Sequence, residues 1–123
     1  MRLSEQLRRS HSILRVEGSL KVGETAEAYR TRVDAIAAKG KGALILDLEA
    51  LEYIDSTGVG ALVGALKKYQ AANRQIILAA PQRRVLGGLR VTHLDSLFPI
   101  YQTLGEALAS LSDAGEEPPD AAR

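Results

Sequence analysis

Apolar residues change their spacing repeatedly along this chain, and each change predicts an element. Residues 3–9 and 12–16 (SILRV) read as two short strands around a turn at Ser10-His11-Ser12, with a second break at Glu17-Gly18-Ser19. From Glu24 to Lys39, Ala26, Tyr29, Val33, Ile36 and Ala37 recur at helical spacing; Glu24 suits the positive end of a helix, and Lys39-Gly40 closes it. The run ALILDL, 43–48, is apolar nearly throughout and short, which predicts a strand covered on both faces. A strand-like LEYI then hands over to a second helix over about 57–72, with Val59, Leu62, Val63 and Leu66 on one face and Asn73 at its end. QIILAA, 75–80, is another buried strand. Pro81 introduces a third helix with Val85, Leu86 and Leu89 inward, despite Gly87-Gly88. LFPIY, 97–101, reads as a last strand, and Thr103-Leu104-Gly105-Glu106 is a capping box opening a fourth helix through Ala107, Leu108 and Leu111.

Strands alternating with helices over short connections predict an α/β fold, a single-layer mixed sheet of about four to five strands with about four helices. The early hairpin makes the sheet mixed. A chain of 123 residues fits one domain, expected over residues 1–112. The stretch from Asp113, DAGEEPPDAAR, has no large apolar group to tie it down and reads as a flexible acidic, proline-containing tail over 113–123.

Composition narrows the classes of function. With 46% apolar residues, 25% charged residues and a formal charge of +1, the chain has no basic excess that would draw nucleic acid or an anionic membrane. Arg2, Arg8, Arg9 and Arg15, or Arg83, Arg84 and Arg90, therefore read as solvated faces. Cysteine is absent, which removes disulfides and thiolate chemistry. Two histidines, His11 in a turn and His93 ending the third helix, are too few for most zinc sites, so no metal and no cofactor is expected. The longest nonpolar stretch, Gly58 to Leu66, falls well short of the ~20 residues of a spanning helix. The amino terminus carries no apolar signal region, so a cytoplasmic location is the expectation.

The chemistry gathers at Asp55-Ser56-Thr57. In an open α/β sheet, functional groups collect beyond the carboxyl ends of strands and at the amino ends of the following helices. Asp55 or Ser56 could simply cap the helix. The composition just behind them asks for more, because Gly58, Gly60, Ala61, Gly64 and Ala65 give the first turns very small side chains, and each interior glycine costs about 1 kcal/mol of helix stability relative to alanine. Tight packing on the sheet is one explanation and close approach of a partner surface is the other; both can hold, because glycines on different faces can serve different neighbours.

DSTGVGAL, preceded by ALILDLEALEYI and followed by a helix, QIILAA and LRVTHLDSLFPIYQTLGEAL, resembles the STAS domain of bacterial anti-sigma factor antagonists. The likeness runs from about Ser12 to Leu111, and Asp55-Ser56-Thr57-Gly58-Val59-Gly60 matches every position of the family's Asp-Ser-Ser/Thr-Gly-apolar-small motif. MRLSEQLRRS departs from the smoother apolar alternation expected of a first strand. The resemblance implies a protein-binding switch with no catalysis of its own. Ser56 would be phosphorylated by a partner that is both anti-sigma factor and serine kinase, the unmodified form would bind that partner, and a serine phosphatase would reset it. The switch and contact surface would comprise Asp47, Asp55, Ser56, Thr57, Gly58, Val59, Gly60, Ala61 and Gly64, with Asp47 orienting the 49–56 loop near the serine, Asp55 orienting Ser56 or bonding locally to backbone, and Thr57 a fallback acceptor.

Other readings of the same residues are a STAS accessory subunit of a lipid-transport or stress-signalling complex that is never phosphorylated, and a receiver-like switch taking phosphate on Asp47 or Asp55. The receiver reading lacks its acidic pair after a first parallel strand. A serine hydrolase would need G-x-S-x-G and a nucleotide-binding enzyme G-x-x-x-x-G-K-[ST]; neither occurs.

Overall fold

The computed structural model describes the backbone of residues 1–40 and 42–115, and side chains within that range up to Leu111. Strand β1 (Arg2–Arg8) turns back through Arg9 and Ser10 into the long β2 (His11–Leu20), and helix α1 (Glu24–Lys39) follows. Then come β3 (Leu44–Asp47), β4 (Leu51–Ile54), α2 (Ser56–Ala71), β5 (Ile76–Ala79), α3 (Arg83–Val91), a 3-10 turn (Leu94–Ser96), β6 (Ile100–Tyr101) and α4 (Leu104–Gly115). Helix α4 runs through Asp113–Gly115, the first three residues of the expected tail, and the rest of that tail lies outside the described residues.

The sheet runs β1-β2-β3-β5-β6, antiparallel only between β1 and β2, so the mixed sheet expected from the early hairpin is what forms. Strand β2 carries two parallel partners in succession along its length. Ser12–Arg15 pair with β3, and Gly18–Leu20 pair with β4 after a register shift between Gly18 and Ser19. The break expected at Glu17-Gly18-Ser19 is this irregularity, and the strand continues through it because β4 supplies a new partner. LEYI thus enters the sheet, bringing it to six strands against the four to five expected.

Period-2 alternation sends side chains to two separate cores. Leu14, Val16, Leu44, Leu46, Ile76 and Leu78 face α1, α2 and α3, whose Tyr29, Val33, Leu62, Leu66, Val85 and Leu89 meet them. Ile13, Ile45, Ile77 and Ala79 face the other way and are covered by Ala107 and Leu111 of α4. The doubly apolar runs at 43–48 and 75–80 are therefore strands sandwiched between helices. Truncating Leu14, Leu46 or Leu78, all fully buried, to alanine carries a cost of about 2–5 kcal/mol.

Helix α1 keeps its expected ends, although Gly40 closes it in an extended conformation and not a left-handed one. The Thr103 hydroxyl accepts from the Glu106 amide at 3.0 Å, forming the expected cap of α4. Three sequence expectations shift. His11 leaves the turn to open β2, buried, its Nδ1 accepting from the Ala43 amide at 3.0 Å. The last strand shortens to Ile100–Tyr101 because Leu94–Ser96 forms a 3-10 turn after His93, which takes a left-handed φ of 62°. Helix α3 forms through Gly87 and Gly88 as expected, with Val85 and Leu89 buried, but Leu86, expected inward as well, is only half-buried and lines a surface recess.

Candidate functional site

Strands β2, β3, β4 and β5 run parallel, so their carboxyl ends share one rim of the sheet. Strand β4 ends there at Ile54, paired with Leu20, and the chain turns directly into α2. Asp55 makes that turn with an extended backbone (φ −104°). Its Oδ1 accepts from the Gly58 amide at 2.8 Å, and its Oδ2 accepts from the Val22 amide at 3.0 Å, 33 positions away in the β2–α1 connection. The carboxyl therefore caps α2 and clamps a neighbouring loop at once. These amide donors, Val22 first and Gly58 second, hold the Asp55 pKa below the ordinary carboxylate value by favouring the charged form.

Ser56 is the first residue of α2 and is exposed. Thr57 and Val59 are partly buried beside it, and Val59 packs on the core. The small residues then divide by face, as the 3.6-residue period requires. Gly58 is buried beneath β2, where an added Cβ would collide with the Leu20 carbonyl oxygen and lie 2.7 Å from Ile54 Cγ1. Ala61 and Ala65 are also buried. Gly60 and Gly64, one and two turns beyond Ser56 on the same side, are exposed, and an added Cβ there would meet nothing within 4 Å. A smooth, uncovered ridge thus leads away from the serine hydroxyl.

Two large apolar side chains are exposed on the segments that flank this turn, Val22 at 68% in the β2–α1 connection and Tyr53 at 48% in β4. Neither stands out in the sequence, apart from the isolated valine in the polar stretch Lys21-Val22-Gly23.

Asp47 does not join this group. Alternation along β3 turns its side chain to the face covered by α4, whereas α2 covers the opposite face. It is buried, its Oδ2 3.1 Å from the Arg15 guanidinium and its Oδ1 accepting from the Glu49 amide at 3.2 Å. Arg15 also pairs with Glu49 and Glu17, each at 3.2 Å, and these acids, Glu49 and Asp47 foremost, raise its pKa above the ordinary value. Asp47 thus holds the first residues of the β3–β4 connection, without contact to Ser56 among its bonds. Neither aspartate offers a free carboxylate of the kind a receiver-like switch would phosphorylate, since Asp47 is paired and Asp55 is occupied as a cap. Among the described residues no cluster of His, Asp and Glu could hold a metal ion, and no helix is long and apolar enough to cross a membrane.

Comparison with known proteins gives the arrangement its setting. A protein of Thermotoga neapolitana named as an anti-sigma factor antagonist is 35% identical over 86 residues, 69% of this chain and 76% of that protein. The anti-sigma-B factor antagonist of Listeria monocytogenes is 29% identical over 86 residues, 70% of this chain and 69% of that protein. The solved structure of a Thermotoga maritima protein, described in the same terms as the first, superposes with a TM-score of 0.84 at 27% identity, covering 89% of this chain and 94% of the other. Residues 4–107 match the STAS domain family model, which takes in both the sheet and the Asp55–Gly60 turn, and the chain belongs to the STAS domain family.

Proposed function

We propose that this chain is an anti-sigma factor antagonist, a cytoplasmic protein-binding switch without catalysis of its own. It docks an anti-sigma factor that is also a serine kinase while Ser56 is unmodified, and is released when Ser56 is phosphorylated. A serine phosphatase restores the docking form. The observation that carries this reading is the exposed Ser56 hydroxyl at the first position of α2, with the uncovered Gly60 and Gly64 ridge behind it. The names of the similar proteins support the anti-sigma factor antagonist role.

The physics of such a switch is simple. Phosphate adds about −1.5 to −2 charges at neutral pH, at a helix amino end suited to hold an anion. A partner carboxylate about 4 Å away would then be opposed by roughly 4 kcal/mol per unit charge pair at an effective dielectric constant of 20. Before screening by salt, that is about three decades of affinity. The uncovered glycines let a partner surface approach the backbone closely, so a bulky dianion at the head of the ridge also obstructs docking sterically.

The test is incubation with the serine-kinase anti-sigma factors of the source organism, followed by mass-spectrometric mapping of the modified residue. Modification at Ser56, lost in Ser56→Ala, together with loss of partner binding on phosphorylation, is the expected result. If Ser56→Ala still accepts phosphate and is still displaced normally, the assignment fails.

A further inference from the structure

Helix α3 presents a second surface, separate from Ser56. Its residues Val85 and Leu89 are buried, so Arg83, Leu86 and Arg90 share the outward side. That side lines a recess of about 530 Å³ together with Ile100 and Tyr101 of β6 and with Asp95. Strand β6 is the edge of the sheet, paired only with β5. Arg83 and Arg90 are exposed, and among the described residues neither has an ion-pair or hydrogen-bond partner through its guanidinium.

We infer that this groove binds an extended acidic segment of a partner protein. The cations call for carboxylates, while Leu86 and Ile100 in the same lining call for an apolar side chain between them. Arg83 and Arg90 are seven positions apart on α3, roughly 10 Å along the helix axis, a span that about three or four residues of extended chain cover. The ligand is therefore a segment with two acids about three or four positions apart and an aliphatic residue between, laid beside the open edge of β6. Concavity favours a chain over a membrane, which would need a flat or convex face, and Asp95 inside the recess disfavours a dense polyanion. This inference does not rest on the Ser56 reading.

The test uses the full chain and short, end-blocked, fluorophore-labelled peptides carrying two aspartates at increasing separation in a serine-leucine background, read by fluorescence anisotropy. Affinity should peak at a separation of about three or four and fall about tenfold in Arg83→Glu or Arg90→Glu. Arg84→Glu, on an exposed arginine outside the recess, should change it much less. Amide shifts in the wild-type chain, which need no variant to fold, should cluster at Leu86, Ile100 and Tyr101. A flat dependence on spacing, shifts confined elsewhere, or phosphatidylserine vesicles binding through the same arginines while the peptides do not, overturns the inference.

Discussion

Gly58 and Gly60 stand in one helical turn, and their surroundings give them opposite roles. A methyl at Gly58 would collide with the Leu20 backbone carbonyl, which cannot rotate aside as a side chain could. Overpacking of this kind costs about 1–3 kcal/mol, more than offsetting the roughly 1 kcal/mol that alanine contributes to helix propensity. Gly60→Ala meets nothing and keeps that gain. Urea titration should therefore show Gly58→Ala lowering the unfolding midpoint and Gly60→Ala raising it, with the same m-value. Midpoints that move in the same direction would show that the close approach of α2 to β2 is not what selects Gly58. At this scale the site is legible in sequence where its bonds are local. Asp55 caps Gly58 three residues on, and such a bond is written in the spacing of the residues themselves. Asp47 is different, because its partner Arg15 lies 32 positions earlier. Only the register of β2 against β3 brings them together.

Between elements, two side chains fasten pieces that the hydrophobic pattern alone leaves loose. Arg74 follows the left-handed Asn73 that ends α2, and its guanidinium donates to Gly42 O and Ala37 O, each at 2.9 Å, while lying 4.6 Å from the centre of the Tyr69 ring. It thereby ties the end of α1 and the entry to β3 to the end of α2. Arg74→Ala should cost about 1.5–3 kcal/mol, the range for hydrogen bonds to a charged group. Arg74→Lys should recover less than half of that, lacking the planar fork. Equal unfolding midpoints for the lysine variant and the wild type would sink the idea. Asp55 fastens the β2–α1 connection to α2, and its lowered pKa makes that link pH-dependent. A carboxyl with a folded pKa below its unfolded value contributes stability that is present above the unfolded pKa, about 3.9, and lost as pH falls through the folded one. Asp55→Asn should accordingly melt below the wild type at neutral pH, with the gap narrowing as the solution is taken below about pH 4. A gap independent of pH would mean that the charge contributes nothing. Neither fastening is legible in the sequence, for the same reason as the Asp47 pair, whereas α1, with its unbroken stripe from Ala26 to Ile36, is legible to its ends.

For the molecule as a whole, what decides function is the separation of support from display. The apolar runs ALILDL and QIILAA announce a sheet with helices on both faces, because a strand without a polar side has no other stable setting. They do not announce that β2 bends past its glycine to gather β4, and that step brings Asp55 and Ser56 to the rim beside Val22. With the support complete beneath it, Ser56 has no hydrogen bond to any described side chain or loop through its hydroxyl, so modifying it breaks nothing in the fold. A dianion there gains from the amino end of α2 and is opposed by the adjacent Asp55 carboxylate, two effects of opposite sign that are both weakened by solvent. Phosphorylated chain, or Ser56→Glu as its nearest genetic substitute, should therefore unfold within about 1 kcal/mol of the unmodified protein while losing partner affinity by orders of magnitude. Calorimetry and binding on the same preparation separate the two quantities. A phosphorylated chain that loses binding only in proportion to lost stability would place the switch in unfolding, and the display of charge on an intact scaffold would have to be abandoned.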